Sequence, residues 1–271
     1  VTPYAPPAWT SIVEEHAGEA AFLFGQRRNA FQSWRQTLAS LGELDQRLLA
    51  HLDGLEVAPA ESWDLAGEWL GSKLAGEAFV AGWLALLAGG GKPLEALEAA
   101  LAAPASLDGL SGALRLSTSP SAIATLQRLA RAEVPGPRAL ACDALAFRAQ
   151  EVPAAVTRAL LLLDHPVAVL AGLGIATRRH QVELRAEVAR ARTHEHPRVA
   201  SAALQAMAVL GDPSAAAAAR ETLARPDAAG ETATRLLGMI GEPADAARLA
   251  AAARSGPHTR AATFALARHG T

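Results

Sequence analysis

The sequence predicts an all-α protein: a stacked array of antiparallel helix pairs behind an aromatic-rich helical cap. Three observations lead there. Hydrophobic residues make up 51% of the 271-residue chain while aromatics reach only 4%. The apolar mass is therefore largely Ala and Leu, strong helix formers, rather than the β-branched and aromatic residues that favour strands. In the second half, prolines return at a nearly constant interval. In the first half sit ten of the twelve aromatics, including all five tryptophans, every one before residue 84.

Taken in order, residues 1–90 form the N-terminal helical cap. Ser11-Ile12-Val13-Glu14 is a capping box that opens a helix running to about Phe24, and Ser40-Leu41-Gly42-Glu43 opens a second that ends near Leu55. Two further helical stretches cover 62–70 and 73–88, closed by Gly89-Gly90-Gly91. Their large side chains imply a thicker core than Ala-lined helices need. Residues 91–135 are degenerate helical repeats that lead into regular repeats of about 30 residues over 136–271.

In that last segment Pro137, Pro166, Pro197, Pro226 and Pro257 stand 29, 31, 29 and 31 residues apart. Pro153, Pro213 and Pro243 follow members of this set by 16 or 17. Proline suits the first helical position, where its missing N–H costs nothing, so each proline marks a helix start and each period holds two helices. Between Pro166 and Pro197 the second helix lacks its proline and is expected to start near Gln181. A small residue (Ala144, Gly172, Ala203, Ala233, Ala262) follows each leading proline by five to seven positions. Gly211-Asp212-Pro213 and Gly241-Glu242-Pro243 end helices with a glycine able to take the left-handed cap. Over roughly 120–271 this pattern resembles the short bacterial version of the HEAT repeat, which implies an α-solenoid of stacked helix pairs. The Val-Arg pair typical of such repeats is absent or reordered in most units.

Composition excludes several functions. The formal net charge of -2 argues against a dedicated nucleic-acid binder. The charge is segregated: residues 1–90 carry eleven acids against five bases, and 136–271 carry twelve acids against sixteen arginines. Cys142 is the single cysteine, which excludes an internal disulfide and a cysteine zinc cage. The first residues, Val1 to Tyr4, lack the basic and apolar regions of a signal peptide. The most apolar run, Ala78 to Leu87, is far shorter than the roughly 20 residues of a membrane span. A cytoplasmic protein with no membrane partner is expected.

No motif carries catalysis. Gly89-Gly90-Gly91-Lys92 departs from the phosphate loop, with Leu86 and Pro93 where that loop has glycine and a hydroxyl residue. His194-Glu195-His196 has neither the three- or four-residue spacing nor the third ligand of a helical metal site. Glu14, Glu15, His16 and Glu19 form the densest polar cluster. Acid–base work is conceivable there, but a solvated face whose glutamates complement the helix dipole is the simpler reading. Cys142, in an Ala/Leu-rich helix, is expected to be buried packing. No catalytic residue, metal ligand or cofactor is therefore expected.

Six arginines remain as candidates for partner binding. Arg158, Arg185, Arg190, Arg220, Arg248 and Arg254 fall on the second helices of the pairs, which line the concave face of HEAT-like arrays. If aligned they make a basic stripe whose guanidinium forks suit carboxylates or phosphates. Glu183, Glu187, Glu221 and Asp245 interrupt it, which favours an acidic protein over DNA.

The segments Glu14-Glu15-His16-Ala17, Glu19-Ala20-Ala21-Phe22-Leu23, Leu44-Asp45, Arg47 and His51-Leu52-Asp53-Gly54-Leu55, with the downstream repeats, resemble an uncharacterised family of proteobacterial HEAT-repeat proteins associated with type VI secretion gene clusters. The resemblance implies an accessory or adaptor protein. A non-enzymatic protein-binding scaffold is the leading expectation. A nucleic-acid-binding or base-modifying protein on the same scaffold is the alternative, and a small-molecule partner is not expected.

Overall fold

The computed structural model describes residues 7–30 and 36–268. The expectations placed on Val1 to Tyr4 and the aromatics Phe31 and Trp34 lie outside them. Among the described residues every regular element is helical and no strand occurs. The chain divides into two compact units, one ending at Arg148 and one starting at Ala149.

The first unit holds α1 (Pro7–Ala30), α2 (Leu38–Glu56), α3 (Pro59–Ala66) with a 3-10 turn over Gly67–Gly71, α4 (Ala75–Ala88), α5 (Gly91–Ala102), α6 (Leu107–Leu116), α7 (Ala122–Leu129) and α8 (Pro135–Phe147). The apolar run of the sequence is the middle of α4, whose residues from Ala78 to Leu86 are all buried. A helix apolar on every side must be wrapped, and α1, α3, α5 and α6 pack around it. Close approach is possible because Gly76 and Gly109 carry no Cβ. A Cβ on Gly76 would sit 2.0 Å from the Ala21 carbonyl oxygen, and one on Gly109 would sit 2.4 Å from that of Ala75. At the centre Phe24 stacks on Phe79 with ring centroids 4.0 Å apart, and Trp83 tilts against Phe79 at 5.9 Å. The thick aromatic core thus draws on three rings, while Trp9 and Phe22 are about half exposed, at 48% and 57%.

Both capping boxes expected in this unit are displaced. Ser11 lies inside α1, which already begins at Pro7 and runs to Ala30. The second helix is capped by Thr37, whose hydroxyl accepts the Ser40 N–H while Ser40 Oγ accepts the Thr37 N–H. Ser40 therefore occupies the third helical position rather than the cap. A serine can play either part in a reciprocal box, so the motif fixed the place to within a turn only.

The second unit holds α9 (Ala154–Leu161), α10 (Pro166–Arg178), a 3-10 turn over Val182–Leu184, α11 (Arg185–Ala191), α12 (Pro197–Val209), α13 (Ala215–Thr222), α14 (Ala228–Ile240), α15 (Asp245–Ser255) and α16 (Thr259–Arg268). Here α10, α12, α14 and α16 pack side by side in succession. The helix α9 lies against α10, α11 against α12, α13 against both α12 and α14, and α15 against both α14 and α16. The helix expected near Gln181 does start there, as the 3-10 turn leading into α11.

The prolines do not keep one place in the repeat. The leading helices begin at residues 135, 166, 197, 228 and 259, a constant step of 31. Pro166 and Pro197 are first helical residues as expected, but Pro137 is the third, and Pro226 and Pro257 stand two residues ahead of their helices. Pro153 is the cap of α9, and Pro213 and Pro243 also stand two residues early. The alternation of 29 and 31 comes from prolines moving within a fixed period. Their fixed φ is tolerated both in the first helical turn and in the turn before it.

The small-residue row shifts accordingly. At the seventh helical position stand Ala141, Gly172, Ala203, Thr234 and Ala265, all buried. Ala144, Ala233 and Ala262 are buried too but occupy other positions. The left-handed cap keeps the same period at Ala149 (φ 59°), His180 (φ 49°) and Gly211 (φ 64°). After His180 and Gly211 the next N–H reaches back to the carbonyl of Ala176 or Met207, closing a Schellman turn. Gly241 was expected to do the same but has φ -70°, so the fourth repeat ends differently.

Candidate functional site

The six arginines do different jobs. Arg158 on α9 donates Nε to Glu187 Oε1 on α11 at 2.6 Å, and this bond holds the Glu187 carboxyl below its ordinary range. Arg185 donates Nε and Nη2 to the Leu210 carbonyl at 2.8 and 2.5 Å, placing a cation at the C-terminal end of α12 where the helix dipole favours it. Arg220 on α13 forks onto Asp245 at the start of α15 and also reaches Glu242 at 3.1 Å. Arg248 stands 3.8 Å from the same Asp245. Only Arg190 on α11 and Arg254 on α15 are exposed with no ion-pair partner among the described residues.

The paired arginines belong to a ladder that ties successive second helices. Arg158 pairs with Glu187 and Arg192 with Glu221, each pair 29 residues apart, and Arg220 pairs with Asp245 over 25. Within the first unit Arg128 on α7 pairs with Glu98 on α5. The acids that seemed to interrupt a basic stripe are the partners of its arginines. Sequence spacing carried a signal for this, since opposite charges one repeat apart on equivalent helices must meet when the helices stack. On the leading-helix side of the first unit, Arg115 donates Nε to buried Asp143 at 2.8 Å. Arg148 donates Nε to the Leu114 carbonyl at 3.2 Å, and burial lowers the pKa of both guanidinium groups.

A second row occupies the residue before each leading helix: His165, His196, Asp227 and His258, again 31 apart. His165 Nδ1 accepts the Ala168 N–H at 3.3 Å. Asp227 Oδ1 accepts from Ala229 and Gly230 at 3.0 and 3.4 Å, while Arg225 keeps its carboxyl below the ordinary range. His258 Nε2 lies 3.0 Å from the Arg225 carbonyl. In His194-Glu195-His196 the His196 N–H donates to His194 Nδ1 at 3.0 Å, so the triplet is a turn. Among the described residues no three of His, Cys, Asp and Glu gather as a metal site.

The acidic cluster on α1 is resolved differently from either reading. Glu14 and Glu15 face solvent, while His16 turns inward and its Nδ1 meets Nδ1 of His51 on α2 at 3.0 Å. His16 also lies against Gly54, where a Cβ would come within 2.8 Å of the ring. His51 had no local motif to mark it. Gly89 (φ 68°) caps α4, and Gly91 opens α5, so the glycine run joins two helices. Cys142 is 3% exposed, and burial raises its thiol pKa to about 11, well out of nucleophilic range.

Compared with protein-family models, with curated proteins and with solved structures, the chain matches none. Its functional reading therefore rests on its own residues. No described helix is long and apolar enough to cross a membrane.

Proposed function

We propose that the chain is a HEAT-like α-solenoid acting as a non-enzymatic scaffold or adaptor that binds another protein through an acidic surface of that partner. The observation that carries this reading is the constant step of 31 residues between leading helices, with α10, α12, α14 and α16 packed in a row. Arrays of this kind present long surfaces made of many equivalent positions, which suit extended protein contacts. A cytoplasmic site of action and an accessory role in type VI secretion are part of the proposal, and both rest on the sequence resemblance.

The charged groups available for such a partner are Arg190, Arg248 and Arg254, because Arg158, Arg185 and Arg220 hold the repeats together. The test is affinity capture with the intact chain and with an Arg190→Glu/Arg248→Glu/Arg254→Glu variant, read by mass spectrometry. The scaffold reading expects a defined protein captured by the first and lost with the second, at unchanged circular dichroism. Capture of the same proteins by both would refute the assignment of this surface. No protein capture, together with a salt-sensitive shift of duplex DNA, would move the reading to the nucleic-acid class.

A further inference from the structure

The helix α16 has neighbours on one side only, and its opposite face carries a contact surface whose counterpart is buried one repeat earlier. Arg260, Thr263, Phe264 and Ala267 are all exposed, with Phe264 at 62%. The residues 31 positions before them on α14 are Ala229, Thr232, Ala233 and Leu236, exposed by 0, 8, 0 and 4%. The Arg260 guanidinium carbon lies 5.9 Å from the Phe264 ring centroid, within cation–π range. From Asp245 to Arg268 that aspartate is the sole acid against four arginines. An uncovered helix face of this kind, apolar and ringed with positive charge, fits an acidic helix with apolar residues of its own.

The chain contains one. On α1, Ile12, Glu15, Glu19 and Phe22 are spaced three, four and three apart and so share a face. Ile12 is 48% and Phe22 57% exposed. No Arg or Lys precedes Arg27 in α1, and Arg27 and Arg28 are engaged by Asp45 and Asp108. Two α16 faces brought together would oppose like charges, which excludes a symmetric pairing through this helix.

We propose that α16 is a docking face for the α1 helix of a second copy of this chain, a heterologous contact through Phe264 with Arg260 and Arg268 against Glu15 and Glu19. This goes beyond the scaffold reading and stands or falls separately from it.

Sedimentation velocity over a concentration series tests it. The wild type is expected to show species heavier than the monomer at low salt and to return toward monomer near about 1 M NaCl, where the screening length falls to about 3 Å. Arg260→Glu/Arg268→Glu and Glu15→Arg/Glu19→Arg should each be monomeric alone, and an equimolar mixture of the two should associate again. Phe264→Ser, which leaves every charge in place, should weaken assembly as well. All these positions face solvent, and circular dichroism checks that each variant is folded. A wild type that stays monomeric at every concentration, an association that survives either reversal, or a mixture that fails to restore it overturns the proposal.

Discussion

Arg220 grips Asp245 across 25 residues of sequence, Nε on Oδ1 at 2.8 Å and Nη2 on Oδ2 at 2.9 Å, with the Asp245 side chain only 2% exposed. The same carboxylate accepts the Glu242 N–H at 2.9 Å, so one buried acid fixes both α13 and the turn into α15. A bidentate pair of this kind stabilises most when breaking it strands a buried charge.

Arg220→Ala is therefore expected to lower the melting temperature of the chain clearly, because Asp245 is left buried without its partner. Arg190→Ala, on an exposed face, should stay within about 0.5 kcal/mol of wild type. Thermal unfolding followed by circular dichroism compares them. Equal effects would mean that the ladder does not hold the repeats together.

The pH dependence follows from the same pair. Arg220 holds the Asp245 carboxyl below its ordinary value, and Glu187 and Asp227 are depressed by Arg158 and Arg225. The stabilisation these groups give is present above the unfolded carboxylate values of about 4 and is lost as pH falls through the lower folded values. Wild type should lose thermal stability on going from about pH 5 toward pH 2, and Asp245→Asn should be less stable at neutral pH with a flatter acid limb. A variant whose profile runs parallel to wild type would contradict this.

Ala203 is 0% exposed at the seventh position of α12, inside the apolar cluster of the second unit. Ala203→Glu should cost several kcal/mol and unfold that unit, since a buried charge without a partner is among the most destabilising changes. Ala217→Glu, on the exposed side of α13, should be tolerated. Near-wild-type melting of the first variant would show the register to be misplaced.

Ala149 holds φ 59° where the next two repeats have His180 and Gly211. A left-handed conformation costs an L-residue roughly 1–2 kcal/mol, so Ala149→Gly should stabilise by about 0.5–1 kcal/mol and Gly211→Ala should destabilise by a similar amount. Chemical denaturation of the pair measures both. Opposite signs would mean that neighbouring contacts, rather than the dihedral, set the preference.

Cys142 should resist thiol reagents in the folded chain and react fully in denaturant, because its thiolate is suppressed and its side chain is shielded. A rate within a few-fold of a free thiol would show that α8 opens readily.

Helix content, the division between an aromatic-cored first half and an Ala-lined second half, and a period near 30 were all legible in residue types. These depend on local propensity and on spacing along the chain. The exact step was hidden because proline satisfies several places around a helix start, so Pro226 and Pro257 pointed two residues early. Helix starts depended on which of two hydroxyls caps, and Thr37 took the role that Ser40 alone had suggested. Which arginines are free could not be read at all. Arg158 and Arg190 look alike in sequence, and only the stacking of α9 on α11 brings Glu187 to one of them. His16 and His51, 35 residues apart on two helices, meet for the same reason. The sequence by itself determined that this chain is helical, where it repeats and which residues are small enough to be packed. The tertiary structure alone decided which charges are spent inside the molecule, because a salt bridge needs two groups within about 4 Å and no residue's identity sets that distance.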